Sequence, residues 1–426
     1  MSTSNAAVEA VWRIESGRLV AALARITGDF SAAEDLAQDA LERALVQWPE
    51  DGIPEHPASW LMATAKHVAV DRYRRSVNLN RKLVEVAHRE TMTRPDEEDP
   101  MAVVDDRLDN AVSDDLLRLI FTACHPALSS DSQVALTLRT VAGLRTAEIA
   151  RAFLVSEATV GQRISRAKKT LADRSIRFEL PPAQELPERL GAVLAVIYLI
   201  FNEGYSATAG SDWMRPALCH DALRLSRLVT SLQPDQGETH GLLALLELQA
   251  SRIPARRDPA GDPVLLDDQD RRSWDQLLIR RGLAALQVAE DLGGGPYTIQ
   301  AAIAACHARA RSVETTDWRR VSALYTVLYY LQPSPVVLLN RAVAVAMAEG
   351  AERGLEVVAQ LGDEPALAGY PQLAAVRATL LHRLGRLPEA AEQFRRAAAE
   401  TSNDSERKLF LRQARSGIHT SRDDTP

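Results

Sequence analysis

The stretch Ala147–Lys169, AEIARAFLVSEATVGQRISRAKK, decides the local fold. Apolar positions recur at helical spacing on both sides of a short break near Leu154, which predicts two helices joined by a turn. Ser156 precedes the second helix and is predicted to cap its N-terminus. Val160 and Ile164 lie four residues apart and are predicted to face inward. The stretch therefore predicts a helix-turn-helix.

The outward face of the second predicted helix is polar and partly cationic. We expect it to carry Glu157, Thr159, Arg163, Arg166 and Lys168. The formal net charge of the chain is -7, yet residues 113–177 hold ten Lys or Arg against six Asp or Glu. A helix with exposed arginines and a free N-terminal turn fits the major groove of DNA. The alternative is an ordinary helical hairpin with a solvated charged face.

Periodicity and chain breakers divide the sequence into helical regions. Helical spacing runs through most of residues 8–75 and 113–177, and again beyond the proline-rich FELPPAQELP at 178–187. Residues 96–109 hold seven acidic side chains against one basic, which is typical of a linker. We predict an all-α fold. The predicted parts are 1–77, an acidic linker at 78–112, a helix-turn-helix domain at 113–177, a helical region at 185–415 and a disordered tail at 416–426.

The C-terminal region contains signs of an internal repeat. Leu-Gln-Pro occurs at 232–234 and at 331–333, a separation of about three 34-residue tetratricopeptide periods. Gly350 and Gly385 each follow an apolar helical stretch. We predict a tetratricopeptide-like α-solenoid with an inserted loop at Pro254–Asp270; an irregular helical bundle is the alternative.

Several functional classes find little support in the sequence. The longest apolar run, Leu190–Phe201, is shorter than the roughly 20 residues that cross a bilayer, and no membrane partner is predicted. Each of the three cysteines precedes a histidine, but adjacent helical residues diverge and no ligand spacing follows, so we predict no metal and no cofactor. The polar stretch Phe201–Trp213 offers a pocket for an enzyme, but no nucleophile with a placed base accompanies it. We predict that the chain is not an enzyme and that Gly204 ends a helix.

Three motifs in order carry a family resemblance. AAEDLAQDALERAL at 32–45, SWLMATAKHVAVDRYRR at 59–75 and TAEIARAFLVSEATVGQRISRAKKTL at 146–171 resemble bacterial RNA polymerase sigma factors of the extracytoplasmic-function class. The remainder resembles the subgroup with a long tetratricopeptide-like C-terminal extension. The resemblance implies two small helical domains that bind core polymerase and read the minus-10 and minus-35 promoter elements.

The resemblance also implies roles for individual residues. Polymerase contacts would come from Asp35, Gln38, Asp39 and Glu42, of which the three acids form one acidic stripe at helical spacing. The implied minus-10 contacts are Lys66, His67, Arg72, Arg74 and Arg75, and the minus-35 contacts are Ser156, Glu157, Thr159, Arg163, Arg166 and Lys168. The loop before the minus-10 helix would capture an extruded base with Asp51, Glu55 and His56. Lys66-His67 replaces the family's usual Arg-Asn, and Leu154 replaces its usual glycine.

The implied partners are core RNA polymerase and promoter DNA. The three cysteines and the lack of an export signal pattern lead us to expect a cytoplasmic protein. The acidic linker would follow the polymerase channel that later holds RNA, or would serve as a simple tether. We expect the extension to contact the sigma domains within the chain and to regulate them in cis. The alternative function is a helix-turn-helix operator-binding regulator with a solenoid sensor domain.

Overall fold

The computed structural model describes residues 3–27, 30–57, 59–68, 108–153, 155–174, 176–207, 212–259, 261–361 and 364–419. In these ranges the regular elements are α-helices and short 3-10 turns, and no strand occurs apart from an isolated bridge between Arg257 and Pro263. The all-α prediction is confirmed. The chain forms two compact units, Met1–Val196 and Ile197–Pro426.

The described residues of the first unit form seven helices and the start of an eighth. They are α1 (Thr3–Thr27), α2 (Phe30–Asp51), α3 (described over 59–68), α4 (Leu108–Ala123), α5 (Ser130–Thr140), α6 (Thr146–Phe153), α7 (Glu157–Asp173) and α8 (Leu186–Tyr205). Most of the predicted linker lies outside the described residues, but α4 begins at Leu108, inside it. The helical pattern of LDNAVSDDLL explains this earlier start, because Leu108 and Val112 precede Leu116 at spacing four.

Close packing joins α1 to both α2 and α4. Small buried residues such as Ala24 and Ala37 let α1 and α2 approach each other. A Cβ at Gly17 would lie 3.1 Å from the Val141 carbonyl oxygen and 3.2 Å from Leu116 Cδ1. The helices from residues 1–77 and from 113–177 therefore share one packed interface.

The second unit continues α8 and adds ten helices in the described chain. They are α9 (Pro216–Leu232), α10 (Gly237–Ala250), α11 (Gln276–Asp291), α12 (Pro296–Arg309), α13 (Trp318–Leu331), α14 (Pro335–Glu349), α15 (Ala351–Ala359), α16 (Pro371–Arg383), α17 (Leu387–Glu400) and α18 (Asp404–His419). The last helix extends four residues beyond the predicted end at 415.

From α9 to α18 each helix packs on its neighbour in the chain, and α10 also contacts α12. The two Leu-Gln-Pro sequences end α9 and α13. Gly350 follows α14 with φ 108° and Gly385 follows α16 with φ 72°, a backbone region that favours glycine. Sequential packing of this kind agrees with a helical repeat, and its tetratricopeptide-like character stays a prediction.

Two features of the second unit refine the sequence analysis. Between α10 and α11 the chain forms 3-10 turns without an α-helix, which confirms an inserted loop around 254–270. Gly204 does not end α8, which continues to Tyr205. It lies against α9, where a Cβ would be 2.7 Å from the Cys219 backbone nitrogen. In the described residues no helix is both long and apolar enough to cross a membrane.

Candidate nucleic-acid interface

The helix-turn-helix consists of α6 and α7, and polar side chains define where each helix begins. The Thr159 backbone N–H donates to Ser156 Oγ at 3.1 Å, which caps α7 as predicted. The Arg145 backbone N–H donates to Glu148 Oε2 at 2.8 Å at the start of α6. The turn residue Leu154 lies outside the described residues.

The buried face of α7 agrees with the predicted pattern. Val160 is 0% and Ile164 7% exposed, and both pack into the first unit. Glu157 and Arg166 are exposed, whereas Thr159 and Arg163 are partly buried. Arg163 lies 2.6 Å from the Asp131 carboxylate, so this candidate DNA contact is engaged within the unit.

Lys168 does not face outward, contrary to the sequence expectation. Its Nζ lies 2.5 Å from Oε2 of Glu34 on α2, and its side chain is 20% exposed. The physical reason is helical geometry, because positions 160, 164 and 168 share one face of α7. The lysine therefore continues the inward face that Val160 and Ile164 begin.

Glu34 joins the two sequence-predicted domains. Besides its ion pair with Lys168, it accepts a hydrogen bond from Arg139 Nε on α5 at 3.1 Å. The residue is only 5% exposed. When one partner of a buried ion pair is removed, the other partner keeps a buried charge that nothing compensates. Glu34 is thus a structural link between α2 and the helix-turn-helix.

Asp115 forms a second buried acidic link, between α1 and α4. It is 1% exposed, and both Arg25 and Arg118 approach it at 2.7 Å. Burial raises the pKa of Asp115, and the two arginines act in the opposite direction. Both buried carboxylates thus hold cations at contacts between the helices of 1–77 and those of 113–177.

The predicted polymerase-binding stripe lies along α2. Asp35 and Glu42 are exposed, and Gln38 and Asp39 are partly exposed. This accessibility agrees with an acidic surface for a basic protein partner. Glu34 is about 100° away from Asp35 around the helix and is buried.

The minus-10 candidates are described only in part. His67 is exposed and Lys66 is partly buried on α3, whereas Arg72, Arg74 and Arg75 lie outside the described residues. The base-capture candidates Asp51, Glu55 and His56 are exposed at the end of α2 and in the loop after it. Base capture by these three residues stays a prediction.

Trp60 belongs to the packing between α2 and α3. Its ring meets that of Trp48 edge to face, with 5.3 Å between the centroids. Trp48 is 2% exposed. This contact favours a core role for Trp60 over insertion between bases.

Sequence reasoning missed several residues of the site. Gln162, Ser165 and Lys169 are exposed beside Arg166 on α7. Their spacing of three and four places them on one face, so helical periodicity alone would have found them. Glu34 and Arg139 gave no local signal, because their contact joins distant parts of the chain.

The three cysteines lie in the protein interior. Cys124, Cys219 and Cys306 are all free and buried. Burial raises the pKa of Cys124 and of Cys219 to about 12. In the described ranges, no three His, Cys, Asp or Glu side chains are grouped so that they could hold a metal ion.

Comparison with known proteins agrees with this geometry. Residues 13–78 match the family described as Sigma-70 region 2, and residues 118–171 match Sigma-70, region 4. Residues 189–290 match a family of unknown function, DUF6596. An uncharacterized protein of Rhizobium meliloti (strain 1021) is 47% identical over 392 residues, which cover 90% of each chain.

The matched regions coincide with the helices that carry the candidate surfaces. The region 2 match includes α2 and α3, and the region 4 match includes α5, α6 and α7. Such domains bind core RNA polymerase and promoter DNA in transcription initiation. The chain belongs to the sigma-70 family, as a sigma factor of the extracytoplasmic-function type with a C-terminal extension.

Proposed function

We propose that the chain binds core polymerase through the stripe Asp35, Gln38, Asp39 and Glu42, and that it reads the minus-35 element with α7 and the minus-10 element from α3 onward. The observation that carries this assignment is the capped, exposed N-terminal half of α7 within the region 4 match. A helix of this kind presents its first turns to base edges in the major groove. Because polymerase and promoter are its partners, we place its action in the cytoplasm.

The packing of the first unit supports a requirement for polymerase. The minus-10 and minus-35 elements are separated by about 25 base pairs, or roughly 85 Å at about 3.4 Å per step. The 22-residue helix α2 spans only about 33 Å. While Glu34 on α2 holds Lys168 on α7, no point of α2 lies more than about 33 Å from that contact, far less than the separation of the two elements. We propose that polymerase separates the two domains.

A binding experiment tests this function. Fluorescence anisotropy would compare the affinity of the full chain for promoter duplex with and without core polymerase. A sigma factor is expected to bind weakly alone and at least tenfold more tightly with core enzyme. Tight binding without polymerase to a site with two half-sites would instead favour an operator-binding regulator.

We propose that the C-terminal extension, as a tetratricopeptide-like solenoid, regulates the sigma domains in cis. A tethered domain acts at a high effective concentration, and helical solenoids offer surfaces for protein partners. The test compares run-off transcription by the full chain with that by a chain ending at Ser206. This end leaves α8 whole. The helix is kept because its Arg189 donates to the Phe121 carbonyl oxygen at 2.8 Å in the first unit.

The two chains are compared at equal protein concentration, and the truncated chain must show the helicity expected for its remaining helices. Output that rises or falls several-fold supports regulation in cis. Unchanged output from the same promoter would refute it and would leave promoter recognition itself unaffected.

A further inference from the structure

The loop between α10 and α11 carries four arginines, two buried and two partly buried, which we name the arginine cluster: Arg252, Arg256, Arg257 and Arg271. Arg256 is 7% and Arg271 9% exposed. Arginine is seldom buried to this degree unless an acidic group accompanies it. We therefore asked which negatively charged group balances these arginines.

The guanidinium groups contact aromatic faces and neutral acceptors. Arg256 lies 3.7 Å from the ring centroid of Tyr205 and donates to its carbonyl oxygen at 2.9 Å. Arg271 donates to the carbonyl oxygen of His307 at 2.9 Å. Arg252 donates to the Gln249 side chain at 3.0 Å. Cation–π contacts and carbonyl groups orient these side chains but leave their charge in place.

No carboxylate of the described chain lies within 4.0 Å of a nitrogen of the arginine cluster. Three acids of the same loop have other hydrogen-bond or ion-pair partners. Asp270 pairs with exposed Arg272 at 3.0 Å, and Asp267 pairs with Arg383 at 3.0 Å. Asp275 accepts the Leu277 backbone N–H at 2.8 Å and caps α11.

The local electrostatics combine this positive charge with acids that lie farther away. Burial lowers the pKa of Arg271, and the charges of Asp267 and Glu314 act in the opposite direction. Burial lowers the pKa of Arg252; Tyr205 offsets this in part, while the charges of Arg256 and Arg271 lower it further. Burial, together with Arg252 and Arg271, lowers the pKa of His307 to about 4. His307 is therefore neutral at pH 7, which limits the mutual repulsion in the cluster.

Hydrogen-bond donors around the cluster also lack acceptors. The Nε1 groups of Trp213 and Trp274 and the Nε groups of Arg257 and Arg271 are shielded from solvent and have no hydrogen-bond partner within the described part of the chain. Trp274 is 3% exposed. Its ring lies between two members of the cluster, 5.4 Å from Arg252 and 5.3 Å from Arg271. Buried N–H groups of this kind usually have a partner.

We propose that the C-terminal unit binds a small oxyanion, the phosphate or carboxylate group of a small molecule, at the arginine cluster. Such a group supplies negative charge to guanidinium groups and several oxygen acceptors to the orphaned N–H groups. Arginine's planar donors suit phosphate and carboxylate geometry. This ligand would give the extension a chemical input that is separate from promoter recognition.

Isothermal titration calorimetry on the full chain tests the proposal, with inorganic phosphate and citrate as probes and sodium chloride at matched ionic strength as the reference. We expect saturable binding of at least one probe, with the two arms distinguishing phosphate from carboxylate recognition. Arg271→Gln is expected to weaken binding at least tenfold. The matched control is Arg272→Gln, which removes a neighbouring arginine that is exposed and already paired with Asp270, and it is expected to leave binding unchanged.

A second variant keeps the test decisive if Arg271→Gln fails to fold. Trp274→Phe retains an aromatic ring beside Arg252 and Arg271 and removes the orphaned N–H group, so binding is expected to weaken severalfold. No saturable heat with either probe would overturn the proposal. Equal affinity in the wild type and both cluster variants would also overturn it.

Discussion

At the residue scale, Glu34 places one carboxylate between two cations of the helix-turn-helix half. Arg139 and Lys168 both approach it, although Lys168 belongs to the helix proposed to bind DNA. A carboxylate that holds a DNA-binding lysine competes with the DNA phosphates for the same charge. Loss of this carboxylate is therefore predicted to affect free DNA binding as well as stability.

Glu34→Gln preserves the side-chain size and removes the negative charge. We expect the free chain to bind promoter duplex several-fold more tightly, with a steeper salt dependence of about 0.9 in the log–log slope if one more phosphate is contacted. Fluorescence anisotropy at several salt concentrations measures both quantities. The control is Glu50→Gln, which makes the same charge change at an exposed position of α2. An equal effect in both variants would show that net charge alone is responsible.

Arg166 tests the DNA-facing side of α7. It is exposed and, unlike Arg163 and Lys168, has no ion pair in the described chain. Arg166→Ala is expected to reduce binding of the polymerase complex to the minus-35 element by about 1–3 kcal/mol. Run-off transcription from promoters with and without that element measures the loss. Arg174→Ala, an exposed arginine just after α7, is the control, and a similar loss there would contradict a specific role for Arg166.

At the element scale, α7 shows what local sequence determines. The cap at Ser156 and the buried positions Val160 and Ile164 were predicted correctly, because they depend on residues within one or two helical turns. The position of Lys168 was not, since its partner Glu34 lies far away in the sequence. Periodicity gives the faces of a helix, but only the tertiary fold determines what each face meets.

Gly204 illustrates the same limit and gives a prediction about α8. Gly204→Ala would place a Cβ 2.7 Å from the Cys219 backbone nitrogen and 2.8 Å from Leu218 Cβ. We expect the free energy of unfolding of the second unit to fall by about 1–3 kcal/mol from overpacking. Thermal denaturation followed by circular dichroism measures the change.

The matched control lies on the same helix. Gly191→Ala would add a Cβ with no heavy atom within 4 Å. It is expected to stabilise α8 by up to about 1 kcal/mol, the helix propensity of alanine over glycine. If both substitutions had the same effect, close packing against α9 would not explain the glycine at 204.

At the scale of the whole molecule, the first unit joins two surfaces that promoter recognition needs to be far apart. The buried carboxylates of Glu34 and Asp115 tie α2 to α7 and α1 to α4. The sequence correctly predicted both domains through their motifs, and most of the linker predicted between them lies outside the described residues. Their shared packing depends on ion pairs and on Gly17, none of which has a local sequence signature.

Separation of these domains by polymerase is open to direct measurement. Cysteines introduced at Val46 on α2 and Ser165 on α7 occupy exposed positions for a donor and an acceptor dye. The native cysteines are buried, and their raised thiol pKa values disfavour labelling. In the free chain the dyes are expected to be close, because Glu34 and Val46 are about 18 Å apart along α2. Energy transfer is expected to fall when core polymerase is added.

A control pair decides whether such a fall reflects domain separation. Arg18 on α1 has a side chain that is 55% exposed, and α1 packs directly on α2. Dyes on Arg18→Cys and Val46→Cys therefore measure the distance between α1 and α2. Their energy transfer is expected to stay constant when polymerase is added. A fall of energy transfer in both dye pairs would mean that the packing of α1 on α2 itself changes. A constant signal in the α2–α7 pair, with polymerase bound, would show that α7 stays on Glu34, which contradicts the proposed requirement for separation.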